Sequence, residues 1–278
     1  MIAPLSTAAP VTEIELQLLL EAVYRYSGYD FRDYAPGYVK RRVSERMRAE
    51  SVTTISGLQE RILHDGEALD RFVFGLSCRT TEMFEDPIFF LELRNTVMPM
   101  LRTFPMVRVW VSGCGRGEDV YSLAILFREA GMAKRYRIYA TDVSTTALVA
   151  AKEGHVRDSY EAVARRYLEA GGVFNFSDYI SPNGTVPSLE AGLRENIIFS
   201  THNLVSDGSF NEFHLIVCRG VVAQFNKSLA FRAHQVLFES MSRGGFLALG
   251  LNESVRFSPH QRCFERVSEA EQLYRRIR

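Results

Sequence analysis

Glycine residues and a carboxylate follow two predicted strands in a pattern typical of a nucleotide-type cofactor site. Residues 107–112 are a short, mostly apolar run of the kind that forms a buried strand. Three glycines then follow at alternating positions, namely Gly113, Gly115 and Gly117. Glycine lets the backbone turn tightly and approach a ligand without a clashing side chain. The next predicted strand, 137–141, is followed by Asp142, and an acid at this position suits the two hydroxyl groups of a ribose.

The spacing of these residues also favours one class of cofactor over another. The loop lacks the full G-x-G-x-x-G spacing of a dinucleotide site, and no Lys-Ser or Lys-Thr pair follows it to hold phosphates. A dinucleotide-dependent oxidoreductase is therefore disfavoured. A cofactor that carries a ribose but no phosphate fits better, and S-adenosylmethionine is the common cofactor of that kind.

The composition argues against several other classes of function. The chain has 278 residues, enough for one large domain and a small one, and its 33 basic and 33 acidic residues leave no net charge that would favour nucleic acid or a membrane surface. The apolar run 16–23 is too short and too polar for a signal peptide or a transmembrane helix. The six histidines show no ligand spacing, and no C-x-x-C pair occurs among Cys78, Cys114, Cys218 and Cys263. We therefore expect a soluble protein of the reducing cytoplasm, with no metal site and no disulfide framework.

The N-terminal residues 1–76 show helical periodicity and predict a small helical domain. Thr12–Glu15 has the form of a capping box at the start of the first helix. The predicted core face of that helix consists of Ile14, Leu18, Leu19 and Val23. Three more helices are predicted, over Tyr38–Arg48, Ile55–Leu63 and Ala68–Leu76.

From about Val107 onwards, short β-branched runs alternate with helices, which predicts a parallel sheet covered on both faces. The predicted strands are 107–112, 137–141, 197–200, 214–218 and 246–250, and the predicted helices are 119–130, 144–153 and 228–241. The last segment, Phe264–Arg278, is expected to add one or two antiparallel strands. The interval 172–196 interrupts the alternation, because strand-like residues lead there to the hairpin signal Asn183-Gly184 and predict a small antiparallel insertion.

Seven short motifs lie in order along nearly the whole chain. They are Thr81–Pro87, Gly117–Ser122, Ala140–Asp142, His202–Leu204, Ser209–Phe213, Cys218-Arg219 and Gly250–Glu253. Together they resemble the CheR family of chemotaxis-receptor glutamate O-methyltransferases. The resemblance implies an α/β chain with an N-terminal small helical domain (1–76), then a linker and lead-in helix that contribute to the cofactor pocket (77–106). A Rossmann-like class I methyltransferase domain (107–278) follows and carries the antiparallel β insertion at about 172–196.

The resemblance also implies roles for individual residues, with S-adenosylmethionine as the cofactor and S-adenosylhomocysteine as the product. Asp142 would hold the ribose hydroxyls, Asn203 the adenine edge and Asp119 the methionine ammonium group. Arg219 would offer its guanidinium to a carboxylate, as its rigid fork favours. The complete predicted cofactor site comprises Arg79, Thr81, Glu85, Gly113, Gly115, Glu118, Asp119, Asp142, Asn203, Leu204, Arg219 and Gly220.

The chain departs from the family pattern near the methyl group. Glu85 stands where the family has an arginine, Gln224 where it has a tyrosine, and Gly220 where it has an asparagine. Three further exchanges are Arg79 in place of asparagine, Arg116 in place of threonine and Asp119 in place of glutamate.

These exchanges matter because methylation of a glutamate needs no general base. A glutamate side chain, with a reference pKa of about 4.3, is ionised at neutral pH, so catalysis rests on alignment of the reactants and exclusion of water. Two unit charges about 4 Å apart interact by roughly 4 kcal/mol at an effective dielectric constant of about 20. Glu85 in place of an arginine therefore works against a glutamate substrate. The predicted catalytic residues are Arg219, Glu85 and Gln224.

Three alternatives follow from these exchanges. In the first, Arg79 and Arg116 compensate by entering the pocket, pairing with Glu85 or binding the carboxylate. In the second, the chain is a catalytically impaired homologue that binds S-adenosylmethionine or S-adenosylhomocysteine and acts as a regulatory or scaffold module. In the third, it methylates a different, non-carboxylate substrate.

The expected partner is a chemoreceptor or other signalling protein, bound through the basic helix Lys40–Arg48 and the β insertion; neither nucleic acid nor membrane insertion is expected.

Overall fold

A computed structural model describes residues 10–79, 81–182, 186–204 and 206–278. The chain divides into two compact units. The first contains the residues up to Leu76 together with Gln224–Asn226, and the second contains Ser77–Ala223 and Lys227–Arg278. Within the described ranges, no helix combines the length and the apolar character that crossing a membrane requires.

The first unit is helical, as predicted. Its described part contains four α-helices: α1 (Val11–Ser27), α2 (Pro36–Ala49), α3 (Ile55–His64) and α4 (Gly66–Ser77). The helices place Leu19, Val39, Leu58 and Phe72 in the core, where each is at most 1% exposed. The N-terminus of α3 is capped by the Thr54 side chain, whose oxygen accepts a hydrogen bond from the Gly57 N–H.

The start and the core face of α1 differ from the prediction. The helix begins one residue before Thr12, which therefore does not cap it. Glu15 accepts a hydrogen bond from the Ser56 hydroxyl at 2.6 Å instead of closing a capping box. Ile14 and Leu18, which were predicted for the core, are 45% and 56% exposed. The buried face consists of Leu16, Leu19, Leu20 and Val23. The predicted capping box was therefore wrong. The buried apolar face of α1 is also rotated about the helix axis, by part of a turn, relative to the predicted face.

The described part of the second unit contains one sheet of seven strands. They are β1 (Val107–Ser112), β2 (Tyr136–Asp142), β3 (Ile197–Thr201), β4 (Phe213–Cys218), β5 (Met241–Leu249), β6 (Phe264–Arg266) and β7 (Leu273–Arg276). Their order across the sheet is β3-β2-β1-β4-β5-β7-β6. The first five run parallel, and β7 is antiparallel to both β5 and β6. The predicted parallel strands and the closing antiparallel pair are confirmed, although β5 begins at Met241 rather than at 246.

Helices accompany the strands of the second unit. They are α5 (Pro87–Glu92), α6 (Met98–Leu101), α7 (Glu118–Glu129), α8 (Thr145–Glu153), α9 (Tyr160–Glu169), α10 (Ala191–Arg194) and α11 (Lys227–Glu239), with a π-helical turn at Leu93–Val97. Val109, Trp110 and Val111 in β1 are all at most 2% exposed. Because successive side chains of a strand point to opposite faces, both faces of β1 are covered, as predicted.

The sheet order determines where a ligand can bind. Since β1 to β5 are parallel, their carboxyl ends lie along one edge of the sheet. The strand order reverses at β1, because β2 and β3 lie on one side of it and β4 and β5 lie on the other. In open parallel sheets, a ligand crevice forms where the strand order reverses, outside the carboxyl ends of the strands. The loops after β1, β2 and β4 therefore carry the candidate site.

The interval 172–196 agrees only in part with the predicted strand and hairpin. Phe176–Tyr179 forms a 3₁₀ turn, in which the Asp178 carboxylate accepts a hydrogen bond from the Asn175 N–H at 3.2 Å. In the described part of the interval, antiparallel pairing is confined to isolated bridges. The hairpin signal Asn183-Gly184 lies outside the described residues. The 3₁₀ turn replaces part of the predicted strand, because a local bond from side chain to backbone stabilises a turn there. Antiparallel pairing is present directly after it, where Ile180 pairs with Leu189 and the Ser181 N–H donates to the Ser188 carbonyl oxygen at 2.7 Å, so the small antiparallel insertion itself is confirmed.

Candidate active site

The loop between β1 and α7 (Gly113–Gly117, the glycine loop) depends on its glycines. Positive φ angles of 69°, 54° and 95° occur at Gly113, Gly115 and Gly117, in the left-handed region that favours glycine. A side chain on Gly113 would also collide with the Val221 side chain, which follows β4. Gly117 forms the N-terminal boundary of α7. The loop therefore lies directly against the segment after β4, with no side chain between them at Gly113.

Asp142, at the end of β2, holds the glycine loop in place. One carboxylate oxygen accepts a hydrogen bond from the Gly115 N–H at 2.9 Å, and the other accepts one from the Ser144 N–H at 2.9 Å. The Cys78 thiol donates to the second oxygen at 3.8 Å. Burial raises the pKa of the Asp142 carboxyl, while these backbone hydrogen bonds oppose the shift. The predicted ribose acid thus lies beside the predicted glycine loop, and we call these residues together the glycine-loop cluster.

The linker segment before α5 is bound to the start of α7. The Thr81 hydroxyl donates to the Glu118 carboxylate at 2.9 Å, and the Ser122 hydroxyl accepts a hydrogen bond from the Phe84 N–H at 3.0 Å. Burial raises the pKa of Glu118, and the bond from Thr81 opposes that rise. The structure therefore brings the predicted residues Thr81 and Glu118 together.

Arg219, directly after β4, is the centre of a network of charged side chains. Its side chain is only 3% exposed, and its guanidinium lies 4.2 Å from the centre of the Phe89 ring. One guanidinium nitrogen binds the Asp86 carboxylate, and the other lies 3.4 Å from the Asp119 carboxylate and 3.5 Å from the Glu85 carbonyl oxygen. Arg219 was predicted to bind a ligand carboxylate, but in this structure two aspartates of the chain engage it.

A second ion pair joins two of the exchanged positions. Arg79 binds the Glu85 carboxylate, and the two side chains are 38% and 32% exposed. Burial raises the pKa of Glu85, and Arg79 works in the opposite direction. A Cβ atom at Gly220 would come within 2.9 Å of the Arg79 guanidinium. The pairing of Arg79 with Glu85 that was one sequence-based alternative is confirmed, and we call Arg79, Glu85, Asp86, Asp119 and Arg219 the charged cluster.

Glu253, to which the sequence assigned no role, fixes the segment after β4. One of its carboxylate oxygens accepts hydrogen bonds from the Gly220 N–H at 2.8 Å and the Gly250 N–H at 2.7 Å. The other accepts a bond from the Ala223 N–H at 2.8 Å. Glu253 is 5% exposed. Its sequence signal was the motif Gly250–Glu253, which contributes to the family resemblance but does not itself indicate what the glutamate binds.

The remaining predicted residues lie in different settings. Asn203 follows β3 in a turn, where its N–H donates to the Asp207 carboxylate at 2.8 Å, and Leu204 beside it is buried. Gln224 belongs to the segment that groups with the helical unit, and its carbonyl oxygen accepts a hydrogen bond from the Ala35 N–H at 2.8 Å. The structure therefore does not place Gln224 in the unit that contains the two clusters.

The residues present fit S-adenosylmethionine. Gly113 and Gly220 let the loops at the carboxyl ends of the strands pack closely, because a Cβ atom there would collide with the Val221 or Arg79 side chain. Asp142 supplies a carboxylate for ribose hydroxyls. The charged cluster contains both carboxylates and guanidinium groups, which suit the ammonium and carboxylate groups at the methionine end of this cofactor.

Comparison with known proteins identifies the family. Residues 14–76 match the family model described as CheR methyltransferase, all-alpha domain, and residues 79–272 match the one described as CheR methyltransferase, SAM binding domain. The Cher3 protein of Pseudomonas putida is 41% identical over 95% of this chain and 97% of its own length. A chemotaxis protein methyltransferase of Listeria monocytogenes is 27% identical over 88% of this chain and 92% of its own length. The chain therefore belongs to the CheR family of S-adenosylmethionine-dependent methyltransferases.

Proposed function

We propose that the chain transfers a methyl group from S-adenosylmethionine to glutamate side chains of a chemoreceptor or a related signalling protein in the cytoplasm. The observation that carries this proposal is the presence of both family domains in one chain, residues 14–76 and 79–272. Relatives that align over most of this chain are named chemotaxis protein methyltransferases. Receptor glutamates are the substrate class that this combination favours.

The chemistry of the acceptor agrees with the groups in the site. The cofactor supplies an electrophilic methyl group on a sulfonium. A glutamate carboxylate is already ionised at neutral pH, so no residue has to remove a proton from it. The remaining task is alignment in a site with fixed charges. Glu253 and Arg219 serve that task, because they hold the segments after β4 and before α5 through hydrogen bonds and ion pairs.

The helical unit offers a surface for an acidic partner. Lys40, Arg41 and Arg48 on α2 are exposed, whereas Arg42 and Arg46 face carboxylates of the same unit, at 3.0 and 3.5 Å. Exposed like charges on one helix attract a partner of opposite charge and speed its association, an effect that salt weakens. An acidic receptor helix is a partner of that kind.

Methyl transfer to receptor fragments tests the proposal directly. The chain is incubated with S-adenosylmethionine labelled in the methyl group and with cytoplasmic fragments of the chemoreceptors from its own genome. We expect label in the fragment that alkali releases as methanol, because methyl esters hydrolyse in base. Fragments with glutamine in place of the methylated glutamates should stay unlabelled. Label that resists alkali would indicate a non-carboxylate acceptor, and no label in any fragment would contradict the proposal.

A second candidate, cofactor binding without turnover, is favoured by the composition of the charged cluster. Three carboxylates, those of Glu85, Asp86 and Asp119, accompany the two guanidinium groups of Arg79 and Arg219. An incoming carboxylate then meets a surplus of negative charge. This candidate predicts that Glu85→Arg combined with Gln224→Tyr creates or raises activity. Normal turnover by the parent, with no gain in the double variant, would exclude it.

A further inference from the structure

The two arginines of the charged cluster differ in how firmly the chain holds them. Arg219 binds Asp86 and Asp119, lies over the Phe89 ring and is 3% exposed. Moving it to a ligand would separate a buried guanidinium from two carboxylates, and removing the partners of a buried charge is costly. Arg219 therefore holds the α5 end of the linker against β4 and is poorly placed to change partners.

Arg79 is held less firmly. Its side chain is 38% exposed, and among the described residues its ion-pair partner is Glu85. That partner is a poor one, because burial disfavours its ionised form and the nearby Asp119 carboxylate repels it. A fully ionised ligand carboxylate competes well against such a group.

The place of the Arg79 guanidinium depends on Gly220. A Cβ atom there would lie 2.9 Å from a guanidinium nitrogen of Arg79 and 3.0 Å from its Cδ. The Gly220 N–H is in turn fixed by Glu253 at 2.8 Å. The missing side chain thus leaves a defined space beside the carboxyl end of β4, and the Arg79 side chain occupies it.

We propose that Arg79 is the residue that binds a ligand carboxylate in this site, and that it exchanges Glu85 for that carboxylate when the ligand arrives. Two ligands carry such a group, the amino-acid end of the cofactor and the acceptor glutamate; the second case rests on the proposed function. A planar guanidinium binds either one through two parallel hydrogen bonds.

The test compares three variants with the wild-type chain by calorimetry: Arg79→Gln, Arg79→Lys and Glu85→Gln. Two ligands are titrated, S-adenosylhomocysteine and 5′-methylthioadenosine, which has the same nucleoside but no amino-acid group. If Arg79 binds the cofactor carboxylate, Arg79→Gln raises the Kd of S-adenosylhomocysteine by about tenfold or more. The Kd of 5′-methylthioadenosine rises by less than about twofold. Arg79→Lys should restore part of the lost affinity for S-adenosylhomocysteine. Glu85→Gln should lower the Kd of S-adenosylhomocysteine, because it removes the competing carboxylate.

The acceptor is tested separately. If Arg79 binds the acceptor glutamate, the Kd of both nucleosides stays unchanged in Arg79→Gln, while kcat/KM for the receptor fragment falls by about tenfold or more. Equal weakening of both nucleosides, or an equal loss in Arg79→Gln and Glu85→Gln, would overturn the inference in favour of a purely structural ion pair. If the wild type methylates no fragment, the proposed function fails, the nucleoside comparison alone decides, and an unchanged Kd then overturns the role of Arg79.

Discussion

The two clusters of the site are held together by different interactions. In the glycine-loop cluster, one buried carboxylate, Asp142, accepts hydrogen bonds from two backbone N–H groups. In the charged cluster, side chains bind side chains, and Arg79 and Glu85 are each about one-third exposed. A loop that is held by hydrogen bonds from its backbone N–H groups to one carboxylate tolerates few residue types, whereas paired side chains can exchange partners. We therefore expect the glycine-loop cluster to tolerate fewer substitutions than the charged cluster.

The largest effect is expected at Asp142. Asp142→Asn keeps the size of the side chain but removes the charge and one of the two acceptors, so that a buried backbone N–H is left without its partner. We expect binding of S-adenosylhomocysteine to weaken by about a hundredfold, measured by calorimetry. Glu161→Gln, a change at an exposed position on α9, serves as the control. A Kd within twofold of wild type in Asp142→Asn would show that this cluster does not bind the cofactor.

Glu253 supports both clusters indirectly, and its loss should come second. Glu253→Ala removes the acceptor of three backbone N–H groups, which should lower the free energy of unfolding by about 2 kcal/mol. Binding of S-adenosylhomocysteine should weaken by about tenfold, since the segment around Gly220 is released. Urea unfolding and calorimetry measure the two effects. Glu253→Gln keeps one acceptor oxygen, so it should lose less unfolding free energy and less affinity than Glu253→Ala. An unchanged unfolding midpoint in Glu253→Ala would contradict the assigned role.

Gly220→Ala sharpens the comparison within the charged cluster. The new methyl group occupies space that Arg79 now fills, and the φ of 70° is unfavourable for alanine. Gly131→Ala is a matched control, because Gly131 has the same φ of 70° and nothing within 4 Å of its Cβ position. Each change should cost about 1 kcal/mol of unfolding free energy. Only Gly220→Ala should also raise the Kd of S-adenosylhomocysteine, by about fivefold. The same Kd in both variants would contradict the contact between position 220 and Arg79.

The smallest effect concerns pH and lies outside both clusters. Burial lowers the pKa of His234 on α11 to about 4, so the folded chain resists its protonation. The unfolded chain protonates it below about pH 6.5, and the stability that the neutral ring contributes is therefore complete above that pH and is lost as the pH falls towards 4. At about pH 5.5 the loss should be roughly 1 kcal/mol.

His234→Leu provides the control for this pH effect. Denaturant unfolding of the variant should lose less stability between neutral pH and about pH 5.5 than the wild type does. An identical pH dependence in the two proteins would show that His234 does not titrate in this way. The variant also separates pH effects on the fold from those on the charged cluster.

Local patterns predicted most of the sheet and the glycine-loop cluster. The parallel strands contain short runs rich in apolar and β-branched residues, and Asp142 lies directly at a strand end, so residues that are neighbours in the sequence contain most of the signal. The helix Tyr160–Glu169 was not predicted, although Ser159 caps it through the Ala162 N–H at 3.2 Å. Its cap and its buried Val163 and Tyr167 are a local signal that could have identified it.

The charged cluster and Glu253 could not be predicted in the same way. Glu253 binds N–H groups of Gly220 and Ala223, which are about thirty residues away in the chain, and such contacts exist only after the strands are paired. The sequence also left open whether Arg79 would pair with Glu85. That choice depends on the free space at Gly220 and on the two aspartates that bind Arg219.

Titration of S-adenosylhomocysteine into the wild-type chain tests the central claim most directly, because both clusters must cooperate to bind it. The two clusters together predict one site per chain with a micromolar Kd, measured by calorimetry. Absence of binding at millimolar ligand would contradict the claim, since the exchanges at Arg79, Glu85 and Gly220 would then have abolished the cofactor site.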